Sequence, residues 1–244
     1  MNKVVLVTGA SRGIGAATAK LAATRGYDVA VNYLRDATAA GEVVAAVEKA
    51  GQRAFAIQRD MAREEDIARM FETIDKELGR LTHLVYNAGT TGGYSRLEDA
   101  DAAMMRSVLE LNVLGALMCV KAATQRMSSK KGGQGGAIVL ISSMGAVLGS
   151  AGEYVWYAAS KGAIDSMTVG LSRELAADNI RVNAVSPGLI ATGLHPPGRL
   201  ERLAPMMPIP RAGTPDEVAE AVMFLLSDAS SYTTGTNLRV SGGR

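Results

Sequence analysis

The stretch TGASRGIG, from Thr8 to Gly15, constrains the fold more strongly than any other part of the chain. It directly follows the apolar run VVLV and opens a helical pattern, so a strand, a glycine-rich loop and a helix follow one another. Its spacing is Gly9-x-x-x-Gly13-x-Gly15, without the Lys-Ser/Thr pair of a P-loop. Glycines allow a ligand to approach the backbone, and the free N–H groups at a helix N-terminus attract an anion. The stretch therefore predicts the pyrophosphate-binding turn of a dinucleotide-binding fold; the alternative is a tight turn without a ligand.

Strand-like and helical patterns alternate along the rest of the chain. The strand-like runs are rich in Val, Ile and Leu without strict alternation, which suits a parallel sheet covered on both faces. We therefore expect an α/β fold, a single doubly wound domain over 1–244. The predicted strands are 3–8, 28–33, 53–58, 81–87, 137–142, 180–186 and 236–240, and the predicted helices are 14–25, 37–50, 63–78, a long region over about 97–128 (broken or unbroken), 154–177 and 215–227.

One segment, 189–210, does not follow this alternation. It contains five of the seven prolines and matches no regular element. Because a long irregular segment inside a compact domain is usually functional or disordered, this segment is a candidate functional loop.

Composition excludes several classes of function. Apolar residues make up 48% of the chain and charged residues 20%, and the formal net charge of +2 is spread without a basic block. No apolar run approaches the roughly 18 residues of a membrane-spanning helix. The single cysteine, Cys119, lies in an apolar stretch, and two histidines do not make a zinc-ligand cluster. We expect a cytoplasmic protein without a nucleic-acid partner, a membrane partner or a metal.

The end of the second predicted strand, VNYLRD, bears on which dinucleotide would bind. An acidic residue at this point accepts hydrogen bonds from a ribose 2′-OH, whereas arginine suits a 2′-phosphate. Here Tyr33 ends the strand, Arg35 follows, and Arg12 lies in the glycine loop. Guanidinium groups bind phosphate oxygens in a bidentate way, so NADP(H) is favoured over NAD(H). The role of Asp36 stays open, because it can pair with Arg35 or cap the next helix. The alternative for Arg12 and Arg35 is that both are solvated surface residues without a ligand.

The stretch YAASK places Tyr157 and Lys161 four residues apart, on one face of a predicted helix. A free tyrosine has a pKa near 10, and a nearby cation stabilises the phenolate and lowers that value. Tyr154 has Ala158 at the same spacing and lacks this partner. The pair is a candidate general acid/base; alone, it is also compatible with a structural tyrosine on an amphipathic helix.

Six motifs occur in order along the chain: TGASRGIG, NAG at 87–89, LNVLG around Asn112, ISS ending at Ser143, YAASK, and SPG at 186–188. In this combination the sequence resembles the short-chain dehydrogenase/reductase family over nearly its whole length. Within the family it is most similar to bacterial sugar-dehydrogenase-like and 3-oxoacyl-carrier-protein-reductase-like members. The resemblance implies a seven-stranded Rossmann sheet with helices on both faces, an NAD(P)(H) cofactor, a catalytic tetrad and a homotetramer.

The resemblance also implies a role for each member of the tetrad. Tyr157 is the general acid/base, and Lys161 lowers its pKa and holds the nicotinamide ribose. Ser143 donates a hydrogen bond to the substrate oxygen, with Ser142 as the competing candidate. Asn112 positions a water that links Lys161 to solvent, unless it is a helix-interior residue that bonds its local backbone.

The resemblance distributes cofactor contacts over several loops. The family pattern after the fourth strand has Asn where this chain has Tyr86, which puts the local support of that strand in question. The implied cofactor-binding residues are Gly9, Ser11, Arg12, Gly13, Ile14 and Gly15 in the glycine loop, Tyr33 and Arg35 at the adenosine ribose, Asp60 and Met61 at the adenine, Asn87, Ala88 and Gly89 along the ribose, Tyr157 and Lys161 in the predicted helix, and Pro187, Gly188, Ile190 and Thr192 on the nicotinamide side.

Segment 189–210 corresponds to the substrate lid of the family. The lid shows few aromatic residues and no carboxylate-binding cluster, so sugars, small ketones and acyl thioesters all stay open as substrates. The sequence predicts hydride transfer between NADP(H) and a carbonyl or secondary alcohol; the alternative is a non-catalytic NAD(P)-binding sensor or structural subunit. Candidate pocket residues are Met144, Tyr154, Trp156, residues near 92–94 and His195, the last of which is also compatible with a surface loop.

Overall fold

The computed structural model describes residues 3–244, and within this range seven parallel strands form one sheet. Their order is β3-β2-β1-β4-β5-β6-β7, and every neighbouring pair runs parallel. This confirms the predicted doubly wound α/β fold. The strands are β1 Lys3–Val7, β2 Tyr27–Tyr33, β3 Ala54–Gln58, β4 His83–Tyr86, β5 Gly136–Ile141, β6 Ile180–Pro187 and β7 Asn237–Val240.

The helices connect these strands, and the predicted bounds differ from the observed ones by three residues or fewer. The long region over 97–128 is broken: a 3-10 turn at Leu97–Asp99 precedes one helix, and a π turn at Glu110–Leu114 separates it from the next. The α-helices are α1 Gly13–Thr24, α2 Ala37–Lys49, α3 Glu64–Glu77, α4 Ala102–Leu109, α5 Gly115–Met127, α6 Gly145–Leu148, α7 Val155–Glu174, α8 Arg199–Leu203 and α9 Pro215–Leu226.

Both faces of the sheet are covered by helices. In β1, Val4 and Leu6 point into a core with α3, α5 and α7, while Val5 and Val7 point into a core with α1, α2 and α9. Successive strand side chains alternate between these two apolar layers. The strands are therefore continuous apolar runs in the sequence. Because both faces are apolar, polar groups can gather only at the ends of the sheet.

The segment 189–210 contains more regular structure than the sequence predicted. It includes α8 and a 3-10 turn at Ala204–Met206, so the expectation of an irregular segment is wrong there. A five-residue helix shows too little periodicity to be detected from sequence. The segment is closed at its base, because the Ala191 N–H donates to the Gly213 carbonyl at 2.8 Å and the Gly213 N–H donates to the Leu189 carbonyl at 2.9 Å.

One helical stretch, Ala102–Met127 counted across its π turn, is long and apolar enough to cross a membrane by length and composition. Part of this apolar character is used inside the protein, because Cys119, Ala123 and Met127 of α5 pack into the core with α3. A helix that covers a buried sheet shows the same composition, so the stretch is weak evidence for a membrane span.

Candidate active site

The candidate site lies at the carboxyl ends of β1 and β4. These strands are neighbours, but the chain leaves β1 towards β2 and leaves β4 towards β5, which opens a crevice between the two loops. Thr8 Oγ1 accepts from the N–H groups of Asn87 and Ala88, both at 2.9 Å. In return, Asn87 Nδ2 donates to the carbonyls of Thr8 and Gly9, both at 3.0 Å. The glycine loop and the NAG segment are therefore held together as one surface.

The glycine loop has the geometry that a pyrophosphate needs. Gly9 and Gly13 have φ of +62° and +57°, which L side chains rarely adopt. A Cβ on Gly15 would lie 2.5 Å from the Gly9 carbonyl oxygen. Helix α1 starts at Gly13 without a side-chain cap and without an acidic residue in its first turn, so its positive end is left for an anion. Ser11, Arg12 and Ile14 complete the loop, and these residues fit a dinucleotide.

Asn32, a residue that the sequence reasoning missed, supports this loop from β2. Its side chain is buried, its Oδ1 accepts from the Gly9 N–H at 3.1 Å, and its Nδ2 donates to the Arg59 carbonyl at 3.0 Å. The amide thus ties the first three strands together at their carboxyl ends. The sequence could have indicated this role, because Asn32 is a polar residue inside the otherwise apolar end of the run DVAVNY.

The adenosine end of the crevice carries free guanidinium groups. Arg12 and Arg35 are exposed, and none of the salt bridges within residues 3–244 involves them. Asp36 accepts from the Ala39 N–H at 2.9 Å and caps α2, which decides between the two roles considered for it. Arg35 follows Tyr33 at the end of β2 and keeps its charge available for a phosphate.

Arg59, an arginine that the sequence reasoning missed, is joined to the end of β2 through its backbone. Its backbone N–H donates to the Tyr33 carbonyl at 3.1 Å, and its Nη1 donates to the Gln58 carbonyl at 2.8 Å. Its Nε is buried without a hydrogen-bond partner. Its position directly after the third strand, at the carboxyl end of the sheet, was the feature of the sequence that could have indicated a role at the site.

The pair predicted to meet adenine, Asp60 and Met61, lies in the turn after β3. Asp60 Oδ1 accepts from the Ala62 N–H at 2.9 Å and so supports the turn after β3. The Met61 side chain is buried in the core, with its Sδ 3.7 Å from Cys119 Sγ. Met61 therefore leaves only its main chain for an adenine ring.

Helix α7 and the loop after β5 bring the predicted tyrosine and one of the two serines together. Tyr157 is buried, and Ser143 lies next to it: a Cβ on Gly145 would lie 3.2 Å from Ser143 Oγ and 3.6 Å from a carbon of the Tyr157 ring. Ser143 is oriented by the Gly145 N–H, which donates to its Oγ at 3.0 Å. Ser142 turns towards α7 instead, where its Oγ donates to Asp165 Oδ1 at 2.5 Å. The geometry therefore favours Ser143 over Ser142.

Burial dominates the pKa values of the Tyr–Lys pair. It raises the pKa of Tyr157 to about 12, and the hydrogen bond from Ser143 opposes this. It lowers the pKa of Lys161, which is 4% exposed, to about 8, and the charge of Asp165 opposes this. Lys161 Nζ donates to the Ile141 carbonyl at 2.7 Å and lies 5.7 Å from the centre of the Tyr157 ring. The expected lowering of the Tyr157 pKa by Lys161 is therefore not seen here, because the ammonium faces the ring and a carbonyl.

Asn112 lies in the π turn between α4 and α5 and is fully buried. Its Oδ1 accepts from the Thr90 N–H at 3.0 Å, and its Nδ2 donates to the Thr90 carbonyl at 3.0 Å and to Ser160 Oγ at 2.9 Å. These distant partners replace the local backbone bond considered as its alternative. A Cβ on Gly89 would lie 3.3 Å from Asn112 Oδ1 and 3.5 Å from Lys161 Nζ, so this glycine lets both groups approach the same backbone point.

Tyr86, the departure from the family pattern, supports the π turn directly. Its side chain is buried, and its hydroxyl donates to the Leu111 carbonyl at 2.6 Å. Burial raises the pKa of Tyr86 well above its ordinary value, which keeps the hydroxyl a donor. A Cβ on Gly115 would lie 2.5 Å from this hydroxyl, so the absence of a side chain at Gly115 makes room for it. The sequence left open how the end of β4 is supported without the asparagine of the family pattern. Tyr86 supplies this support through its bond to Leu111, the residue next to Asn112.

A cavity of about 430 Å³ connects the tyrosine, the nicotinamide-side loop and the lid. Four of the pocket candidates line it, including the half-buried His195, but Trp156 does not: its Nε1 donates to the Thr91 carbonyl at 2.7 Å and its ring packs on Val108. The predicted site residues that line the cavity are Ile14, Asn87, Gly89, Ser143, Tyr157, Lys161, Pro187, Gly188, Ile190 and Thr192, together with the pocket candidates Tyr94, Met144, Tyr154 and His195.

The family model described as "Enoyl-(Acyl carrier protein) reductase" matches residues 9–244. The chain belongs to the short-chain dehydrogenase/reductase family, as the motifs predicted, and it is an NAD(P)-dependent oxidoreductase acting on the CH–OH/C=O pair. It is 48% identical to "Uncharacterized oxidoreductase YgfF" of Escherichia coli K12, with 99% of each chain covered. It is 37% identical to a 3-oxoacyl-[acyl-carrier-protein] reductase of Synechocystis, with 99% of this chain and 96% of that one covered.

Solved structures agree with this assignment. A short chain dehydrogenase from Burkholderia cenocepacia J2315 in complex with NADP superimposes with a TM-score of 0.92 at 36% identity, covering 99% of this chain and 97% of that one. Acetoin dehydrogenase YohF from Salmonella typhimurium superimposes with a TM-score of 0.89 at 34% identity, covering 100% of this chain and 96% of that one.

The buried Lys161 should make stability depend on pH in a defined way. Because its pKa falls from 10.5 to about 8 on folding, the unfolded chain binds more protons, and the lysine destabilises the fold fully below pH 8 and progressively less up to pH 10.5. The cost is about 3 kcal/mol at pH 7 and about 1 kcal/mol at pH 10. The stability of Lys161→Met relative to wild type should therefore be about 2 kcal/mol more favourable at pH 7 than at pH 10, measured by urea unfolding.

The exposed Lys20→Met on α1 is the matched control, because it removes the same charge from a solvated position. Its stability relative to wild type should be nearly the same at both pH values. An equal difference for Lys161→Met at pH 7 and pH 10 would show that burial does not perturb the ammonium.

Proposed function

We propose that the protein is an NADP(H)-dependent oxidoreductase that transfers a hydride between the nicotinamide and a carbonyl or secondary alcohol, with Tyr157 as general acid/base. The observation that carries this proposal is that the half-buried Ser143 and the buried Tyr157 line the same cavity, with Lys161 one helical turn from the tyrosine. When bound, the cofactor supplies or accepts the hydride, and the chain supplies position and proton transfer. We expect it to act in the cytoplasm on a sugar, a small ketone or a 3-oxoacyl compound.

The two hydroxyls are suited to hold a carbonyl oxygen. Oriented donors stabilise the negative charge that develops on this oxygen, and the burial of Tyr157 strengthens the effect. Since the pKa of Tyr157 is about 12 in the free protein, its hydroxyl is protonated at neutral pH. Tyr157 can therefore donate a proton to the substrate oxygen when a carbonyl is reduced.

Lys161 and Asn112 are suited to replace the proton that Tyr157 gives up. Lys161 has a pKa of about 8, so it is an ammonium with a readily released proton near neutral pH. Asn112 is held by Thr90 and Ser160 beside the same glycine as the Lys161 amine. We propose that Asn112 positions a water that links this amine to solvent.

The remaining loops are proposed to hold the cofactor. The uncapped start of α1 accepts the pyrophosphate, the 87–89 segment lies along the ribose, and the backbone of Pro187, Gly188 and Ile190 with Thr192 receives the carboxamide. The unpaired Arg12 and Arg35, with Arg59 beside Tyr33, favour a 2′-phosphate and hence NADP(H) over NAD(H). The NADP complex of the Burkholderia relative supports this preference.

We also propose that the protein is a homotetramer. Leu109, Leu114 and Leu117 lie on the α4–α5 stretch with 45%, 47% and 40% of their surface exposed, and Val169 of α7 is exposed as well. Burying such side chains against another copy is favourable, at about 25 cal/mol for each Å² of apolar surface.

Light scattering should give about four times the mass of a single chain, and a monomeric mass would contradict the proposal.

Turnover tests the catalytic role of Tyr157. Absorbance of NADPH should fall with at least one compound in a panel of aldehydes, ketones, sugars and acetoacetyl thioesters. Tyr157→Phe should lower kcat by at least about 1,000-fold, because it removes the proton donor, while the NADPH Kd measured by fluorescence should stay within about threefold. Wild-type protein that binds NADPH tightly but turns over nothing would favour the non-catalytic alternative.

The neighbouring serines offer a matched control in the same assay. Ser143→Ala should lower kcat by about 100-fold or more, since it removes one of two donors to the substrate oxygen. Ser142→Ala should have a much smaller effect on kcat, because Ser142 bonds α7. Equal losses from both substitutions, or retained activity in Tyr157→Phe, would contradict the proposed mechanism.

Cofactor preference tests the role of Arg35. Arg35→Asp should lower the NADPH/NADH ratio of kcat/KM by at least about tenfold, because an acidic residue repels the 2′-phosphate and accepts from a 2′-OH. Lys49→Asp, which makes the same charge change at the other end of α2, should leave the ratio nearly unchanged. An unchanged ratio in Arg35→Asp would show that Arg35 is only a surface residue.

A further inference from the structure

The lid places a buried arginine in the wall of the cavity, and this observation extends the proposed function. Arg199 of α8 is only 5% exposed and lines the cavity. Its two terminal nitrogens donate to the two carboxylate oxygens of Glu153, the Nη2–Oε2 contact being 2.7 Å, and Nη2 also donates to the Tyr154 hydroxyl at 3.1 Å. The guanidinium carbon lies 5.6 Å and 5.7 Å from the ring centres of Tyr94 and Tyr154.

Two polar atoms of the lid have no partner. Arg199 Nε and His195 Nδ1 are both buried and make no hydrogen bond within the described residues. Buried polar atoms are nearly always paired, so these two mark a wall whose hydrogen bonding is incomplete. Because both atoms are shielded from the cavity, a ligand meets the terminal nitrogens of Arg199 instead, which already hold the Glu153 carboxylate.

The charges around this wall favour a negative ligand. Glu153 faces Arg199, Arg202 and Arg244; all three guanidinium groups hold the pKa of Glu153 below its usual value, the hydrogen bond from Arg199 contributing most. Burial, with Arg199 nearby, lowers the pKa of His195, so this imidazole adds a hydrogen-bonding group rather than a charge. Three cations surround one carboxylate, so the net charge of this wall is positive and attracts a second anion.

The wall is also close to the reacting groups. The Tyr154 ring makes an edge contact with the Tyr157 ring at 5.3 Å and with the Tyr94 ring at 4.8 Å. Arg199 is therefore separated from Tyr157 by a single aromatic ring. Both residues line the same cavity of about 430 Å³, so one small ligand can reach both of them.

We propose that the physiological substrate is a small oxo acid, or the corresponding hydroxy acid, whose carboxylate is bound by Arg199 while its carbonyl faces Tyr157 and Ser143. The substrate carboxylate displaces Glu153 from part of the guanidinium and takes its place on the terminal nitrogens of Arg199. This inference rests on the proposed reductase function and names its substrate class. It corrects the sequence-level view that the lid has no carboxylate-binding cluster, since the partners of Arg199 come from the loop before α7.

The test compares acids with their methyl esters, which share the reacting ketone but lack the charge. The pairs are 2-oxobutanoate, acetoacetate and 4-oxopentanoate with their esters, each assayed with NADPH. For at least one pair, wild-type kcat/KM should be at least tenfold higher for the acid than for the ester. Arg199→Gln should lower this acid-to-ester ratio at least tenfold, mainly through KM, and Arg199→Lys should restore part of it.

Glu153→Gln distinguishes substrate recognition from a lid that is merely clamped by an ion pair. Removing the competing carboxylate should raise the acid-to-ester ratio, the opposite direction from Arg199→Gln. Thermal unfolding and NADPH affinity of each variant show whether it folds. If both substitutions slow acids and esters to the same extent, Arg199 is a clamp and the inference is overturned.

The outcomes also separate this inference from the function on which it rests. Wild-type protein that reduces neutral ketones or sugars through Tyr157, but shows no preference for any acid over its ester, would overturn the substrate class alone. Wild-type protein that reduces no carbonyl compound at all would overturn the proposed function. A preference for the acid that Arg199→Gln abolishes would support both.

Discussion

The hydrogen bonds between the loop after β1 and the loop after β4 are the interaction on which the candidate site depends. Thr8 and Asn87 exchange side-chain and backbone bonds across the crevice, and Asn32 adds a third contact from β2. Both faces of the sheet are covered by apolar helices, so only its ends are available for polar chemistry. These contacts fix the position of the glycine loop between β1 and β4, where the order of the strands in the sheet changes direction.

Burial gives the site its chemistry and imposes its cost. The same desolvation raises the pKa of Tyr157 to about 12 and lowers the pKa of Lys161 to about 8, moving both away from their values in water. We propose that this cost is retained because Lys161, 5.7 Å from the centre of the Tyr157 ring, serves proton transfer there. Tyr86 and Gly115 reinforce this arrangement, since the hydroxyl of one occupies the space left by the other and holds the turn that carries Asn112.

We propose that the lid, segment 189–210, selects the substrate. The base of the lid is fixed by backbone bonds between the 189–191 segment and Gly213, whereas its inner wall is an ion pair between Arg199 and Glu153. A carboxylate that replaces Glu153 on Arg199 keeps the guanidinium paired, and the displaced Glu153, whose side chain is 33% exposed, is able to reach water. The proposed hydride transfer and the proposed substrate class thus depend on different parts of the molecule.

The sequence by itself determined the parallel sheet, the glycine loop, the Tyr157–Lys161 pair and the family, because each depends on local spacing or on apolar periodicity. Only the tertiary structure decided that Asn112 bonds Thr90 and Ser160, that Tyr86 reaches Leu111, that Lys161 faces Ile141 rather than the tyrosine hydroxyl, and that Arg199 meets Glu153. These contacts join residues that are 20 or more positions apart. Periodicity reports which face of an element is buried, but not which distant group it meets there, so such pairings follow from packing alone.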